Sequence, residues 1–195
     1  MLISPKSLAG FTLIELMIAI TIVSVLLVIG FPEAVNWIQN TKIRSSAESI
    51  SNGLQLARAE AVRRNTSVRF QLVDSLTSSC ATTATGSNWV VSLADPSGAC
   101  DVAPSDTVAP QIVQKKSSAE GSTNVVITAG SPNVVFNGLG RVTLGANTIQ
   151  VTNPTGGACF AAGPMRCLNV VVQPGGQIRM CDPNPAIPVG DTRHC

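Results

Sequence analysis

Residues 10–15 read Gly-Phe-Thr-Leu-Ile-Glu, and they run straight into an apolar stretch that ends at Phe31. Glu15 is the only ionisable side chain between Phe11 and Phe31. A lone carboxylate near one end of a membrane span is costly unless it is neutralised or paired, so its presence needs a reason. Cleavage between Gly10 and Phe11 would supply one, because it creates an amine about one helical turn from Glu15. That amine, on this chain or on a packed neighbour, is the natural partner of the carboxylate. An ordinary secretory signal fits poorly. The leader Met1–Gly10 has one Lys and no apolar core, a Glu sits inside the would-be core, and no small-x-small site follows.

Working outward, the run Phe11–Phe31 would cover roughly 30 Å as a helix, the thickness of a bilayer core. Gly30 and Pro32 are expected to interrupt the helix, since an internal Pro removes one backbone hydrogen bond and usually kinks the element. The helical pattern then resumes. Ile43, Ala47, Ile50, Leu54, Ala57 and Ala61 recur at alternating spacings of four and three, an apolar stripe on one face of an amphipathic helix. Arg63 and Arg64 place two cations at the negative end of the dipole, and Asn65 suits a left-handed cap. Together the two halves predict a helix of roughly 54 residues, ~80 Å long.

Short runs rich in Val and Ile follow: 66–73, 88–94, 124–128, 133–137, 141–144, 147–152, 167–173 and 177–181, with 111–114 a weaker ninth. Turn residues separate them, at 130–133, 138–140, 145–147 and 174–176. The segment 95–106, rich in Gly, Ser, Pro and Asp, reads as an exposed loop. A long amphipathic helix on an antiparallel sheet is an α+β architecture. The expected organisation is a leader at 1–10, a membrane and assembly half of the helix at 11–32, an amphipathic half at 33–65 and a β-rich head at 66–195.

The chain has 195 residues and a net charge of +2, which becomes +1 (12 Lys+Arg against 11 Asp+Glu) once Lys6 leaves with the leader. Bulk charge therefore does not mark a polyanion binder. About 160 residues remain beyond the span, enough for one domain with its own core. Cys80, Cys100, Cys159, Cys167, Cys181 and Cys195 all lie there, and an even count in an exported chain favours disulfides. Metal is disfavoured, because no C-x2-C or His pair exists and His194 is the only histidine. Local loops suggest Cys80–Cys100. Beyond it, either Cys167–Cys181 cross-links a hairpin and leaves Cys159 with Cys195, or the pairs run Cys159–Cys167 and Cys181–Cys195. No catalytic constellation, phosphate loop or cofactor motif appears, so no cofactor and no enzymatic activity are expected.

The residues at 10–15 and the apolar run resemble the signal of type IV pilins and of the pseudopilins of type II secretion. The resemblance implies cleavage after Gly10 by a prepilin peptidase, methylation of Phe11 and an assembly role for Glu15. It narrows further along the chain. Gly53-Leu-Gln-Leu-Ala-Arg-Ala-Glu-Ala-Val-Arg-Arg64, Val135-Phe-Asn-Gly-Leu-Gly-Arg141 and the hairpin Arg166–Cys181 resemble the FimT/FimU and GspH group. That implies a minor pilin at or near the tip of a type IV pilus. Its partners would be other minor and major pilins and an inner-membrane assembly platform. Its head would sit in the periplasm while the helix is in the inner membrane, and outside the cell after assembly.

Some members of the group resemble DNA-uptake receptors with a Gly-Arg-x-Arg stretch. Here the matching stretch is Gly176-Gln-Ile-Arg179, with Gln in place of the first Arg. DNA binding would need several cations together, and the candidates are Arg141, Arg166, Arg179 and Arg193 against Asp182 and Asp191. A second group, Lys42, Arg44, Arg58, Arg63, Arg64 and Arg69, reads as the solvated helix face with its end-of-helix charge compensation. A DNA receptor and a GspH-like pseudopilin are the two alternative functions.

Overall fold

The computed structural model describes residues 10–117 and 124–195, with the backbone alone at 28–32. Most of the expected leader, residues 1–9, lies outside the described residues. The chain falls into two units, Met1–Trp37 and Ile38–Cys195.

Helix α1 spans Leu13–Arg64. Thr12 caps it, accepting the Glu15 N–H on its hydroxyl at 3.3 Å. The backbone stays helical through Gly30 and Pro32, so the expected interruption does not occur. A proline deletes its own backbone bond but not those on either side, and the element carries on past it. In the first unit the apolar side chains from Leu13 to Leu27 are exposed. Among the described residues no helical segment is long and apolar enough to cross a membrane. The expected span continues into 28–32, whose side chains lie outside the described residues.

In the second unit the predicted stripe is the buried face: Ile43, Ala47, Ile50, Leu54, Ala57 and Ala61 are each at most 1% exposed. The helix stops as its sequence dictates. Asn65 takes φ +49, its N–H reaches the Val62 carbonyl, and the Thr66 N–H reaches that of Ala61. This pair of bonds satisfies the last carbonyls of the helix.

Nine strands follow among the described residues, and each falls on a predicted run: β1 Val68–Val73, β2 Asn88–Ser92, β3 Ile112–Lys116, β4 Val126–Ala129, β5 Asn133–Phe136, β6 Val142–Leu144, β7 Thr148–Thr152, β8 Leu168–Val172 and β9 Ile178–Cys181. They form two antiparallel sheets, in the orders β3-β2-β1-β5-β6 and β4-β7-β8-β9. Alternation assigns their faces. Val68, Phe70 and Leu72 of β1, and Val170 and Val172 of β8, join the helix stripe in one core. Each large aliphatic or aromatic side chain so buried contributes about 1.5–3 kcal/mol.

The segment 95–106 is a loop without regular structure and most of its residues are exposed, as its composition suggests. It covers the outer face of the first sheet, where Val73, Cys80, Val90, Cys100 and Ile112 form a second, smaller core. The Cys80–Cys100 disulfide fastens it. The Lys115 ammonium holds it as well, donating to the carbonyls of Cys100, Asp101 and Val102 at 2.8–3.1 Å.

Candidate functional site

The Gly10–Phe11 bond lies ahead of the helix in exposed, non-helical backbone. Glu15 is exposed at the third helical position, where a carboxylate also favours the positive end of the helix dipole. Thr12-x-x-Glu15 is the spacing of a capping box. That local role was readable from the sequence and sits beside the expected assembly role without replacing it.

The six cysteines pair as Cys80–Cys100, Cys159–Cys167 and Cys181–Cys195. The hairpin cross-link Cys167–Cys181 is therefore excluded, and Cys159–Cys195 with it. The reason is register: Cys181 stands opposite Asn169 across the β8–β9 ladder, so Cys167 lies beyond the end of the pairing. A tight loop instead brings Cys159 back, through the bonds Phe160 N–H to Met165 O and Met165 N–H to Ala158 O. The tail returns Cys195 to Cys181 through the bridge between Asp182 and His194.

The four candidate DNA-binding arginines are exposed but do not form one patch. Arg193 is bound to Asp191 at 2.7 Å. The Arg193 side chain, then its backbone N–H, hold the Asp191 carboxyl down at about 2 from an ordinary 3.8. Arg166 stands beside Asn40, whose Oδ1 accepts its backbone N–H at 2.7 Å. Arg141 follows Gly140, which lies against Arg58. Asn40 and Arg58 are about 27 Å apart along the helix. Arg179 is on the outer face of β9, opposite Val171. The helix cations are mostly occupied. Arg44 pairs with Glu48, Arg63 and Arg64 with Glu60, and Arg64 also with Asp106. Arg63, then Arg64, keep the Glu60 carboxyl below its usual range.

The three motifs that carried the resemblance meet at one place. Arg58 of the helix donates to the Gly140 carbonyl at 3.2 Å. The Val142 N–H bonds to the Pro174 carbonyl, which ties the β5–β6 turn to the β8–β9 turn. Gly176, at φ +84, packs so closely on the Gly140 carbonyl that a Cβ there would collide with it. This junction clamps helix, first sheet and second sheet together.

A second clamp, not anticipated from the sequence, lies at the other end of the head. Asn40 binds the Arg166 N–H and donates to the Pro164 carbonyl at 3.4 Å, while Asn153 donates to Gln39 Oε1 at 2.7 Å. A signal existed. Gln39 and Asn40 stand four and three residues before Ile43, on the face that is otherwise apolar.

A Gly-Phe cleavage signal, a long helix that is apolar and then amphipathic, and a two-sheet head stapled by disulfides define a protein of the type IV pilin class. The chain belongs to the family described as type II transport protein GspH, whose model matches residues 46–176. The prokaryotic N-terminal methylation motif matches residues 6–31. Two crystal structures of the type IV minor pilin FimU of Pseudomonas aeruginosa are similar to it. One has a TM-score of 0.50 and 15% identity, covering 74% of this chain and 91% of FimU. The other has a TM-score of 0.48 and 14% identity, covering 70% and 90%. The first establishes a common fold. No curated protein matches the chain.

Proposed function

We propose that the protein is a minor pilin of a type IV pilus, built in at or near the tip, where it primes assembly or joins the tip complex to the shaft. The observation that carries this reading is the methylation motif joined by one continuous helix to a GspH-family head. Prepilin peptidase cuts after Gly10 and the new Phe11 amine is methylated. The apolar helix holds the chain in the inner membrane until other pilins take it up. An apolar helix bearing one carboxylate leaves a bilayer only where its surface and its charge find new partners. A bundle of like helices offers both, and Glu15 pairs there with the Phe11 amine of a neighbour.

The test is incorporation into sheared pili. Glu15→Ala and Glu15→Gln should both be processed at Gly10 yet be missing from the filament. The Gln variant keeps a good helix former at that position, so its loss isolates the charge. Normal incorporation of either variant sinks the role of Glu15. The family description itself favours one second reading, a minor pseudopilin of type II secretion. Co-purification with secretion-system pseudopilins rather than pilins would decide for it.

A further inference from the structure

The helix-facing surface of the first sheet changes character at its last strand. Val68, Phe70 and Leu72 of β1 and Trp89 and Val91 of β2 lie in the main core. Across the β2–β3 ladder Trp89 stands opposite Lys116 and Val91 opposite Gln114, and residues paired in this way share a face. That face is therefore polar at β3. The helix is polar there too: Ser45, Glu48, Ser49 and Asn52 form a row beside the buried stripe of Ile43, Ala47, Ile50 and Leu54. Two such surfaces gain nothing by closing on each other, and a cleft of about 300 Å³ stays open between them. Ser45, Glu48, Asn52, Gln114 and Lys116 line its walls, and Trp89, 3% exposed, lines its floor. The Trp89 indole N–H is fixed on the Ser49 hydroxyl at 3.1 Å. A recess of about 30 Å³ shares Ser45, Ser49, Trp89 and Lys116 with the cleft, and Ser46 forms part of its wall. Ser46 is 6% exposed, and its hydroxyl has no hydrogen-bond partner among the described residues. A buried hydroxyl left unpaired is costly, and one that lines a cavity marks a place for the polar group of a ligand.

We propose that this cleft binds one residue of a neutral carbohydrate, with a hydroxyl of the sugar reaching Ser46 in the recess. The lining selects that chemistry. Serine hydroxyls and the amides of Asn52 and Gln114 each donate and accept, as neighbouring sugar hydroxyls do. The two charges of the walls are opposite in sign: Glu48, bound to Arg44 at 2.8 Å, and Lys116. An ionic ligand of either sign would meet its like. An apolar ligand would strip water from these polar groups without replacing their hydrogen bonds. The volume stands at the lower end of small-molecule sites, which suits a single ring.

The chain has two tryptophans, Trp37 and Trp89, so Trp37→Phe leaves the emission of Trp89 as a reporter of the cleft. The full chain with that substitution, in a detergent without a sugar headgroup, is titrated with the methyl glycosides of glucose, galactose and mannose. At least one should give a saturable shift in emission, and glycerol should give none. Competition by the matching polymer (dextran, galactan or mannan) would assign the site to a glycan, and failure to compete to a free sugar. Gln114→Leu should weaken the apparent affinity about tenfold, the loss of one good hydrogen bond. Ser46→Ala should weaken it as well, yet leave the thermal midpoint unchanged or higher, because it removes an unpaired hydroxyl. No saturation with any of the three glycosides, or saturation that both substitutions leave unchanged, overturns the site. Saturation by glucose 6-phosphate alone overturns the neutral ligand. An emission shift that follows protein concentration and ignores sugar means that a second copy fills the cleft, and overturns it too.

Discussion

Gly53 stands in the middle of a helix, where glycine costs about 1 kcal/mol relative to alanine. Its surroundings explain it. A Cβ at this position would come within 2.8 Å of the Phe70 ring and 3.2 Å of Trp89. The two rings pack 5.7 Å apart, and the Trp89 indole N–H donates to Ser49 on the helix. Gly53→Ala should therefore lower the thermal midpoint despite its better helix propensity, because overpacking a core costs about 1–3 kcal/mol. A melt of the oxidised chain in detergent checks the sign, and a raised midpoint would contradict the packing argument. At the other end of the sequence, Asp191 has its carboxyl depressed to about 2 from 3.8. A depressed carboxylate contributes its stabilisation in full above the unfolded value and loses it as pH falls through the folded one. The Asp191–Arg193 ion pair should thus persist at pH 4 and be lost as the pH falls through about 2, while the disulfide keeps the tail closed. In Arg193→Ala the carboxyl midpoint, followed by NMR, should rise toward the ordinary value.

At the scale of elements, the junction of Arg58, Gly140 and Gly176 makes the sharper claim. Gly176→Ala would place a side chain at φ +84 and drive its Cβ into the Gly140 carbonyl. A left-handed conformation alone costs an ordinary residue roughly 1–2 kcal/mol, so a loss of more than about 2 kcal/mol is expected in denaturant titration. Every strand of the described structure was legible beforehand, the weak run at 111–114 included, because period-2 alternation and turn residues are local signals. So was the helix cap at Asn65. What sequence could not supply was non-local. The pairing of Cys159 with Cys167 depends on a loop that turns back through Met165, and the alternative of a hairpin cross-link fails on the register of Cys181 opposite Asn169. The segment 95–106 was legible as an exposed loop, but not that its Cys100 closes a second small core. The segment is held down by backbone carbonyls on Lys115, and composition does not report which carbonyl a lysine will find. Gln39 and Asn40 broke the apolar pattern visibly, yet their partners lie more than a hundred positions away.

For the whole molecule, the arrangement of charge bears on the alternative of a DNA receptor. Salt-dependent affinity needs several phosphate contacts on one surface. Here Arg166 and Arg141 sit at opposite ends of the head, and Arg193 is occupied by Asp191. The oxidised full chain in neutral detergent should show weak DNA binding with a shallow salt dependence, and Arg179→Ala should change it little. A steep salt slope abolished by that single substitution would reinstate the receptor.

The disulfide map has a consequence for how the chain is made. Each bridge joins one cysteine to the next along the chain, closing spans of 20, 8 and 14 residues without interleaving. Cysteines oxidised strictly in the order in which they emerge from a translocation channel arrive at the native connectivity at once. Such a protein depends on an oxidase in its compartment but not on an isomerase to correct mistakes. It can close its last loop while its helix is still waiting in the bilayer.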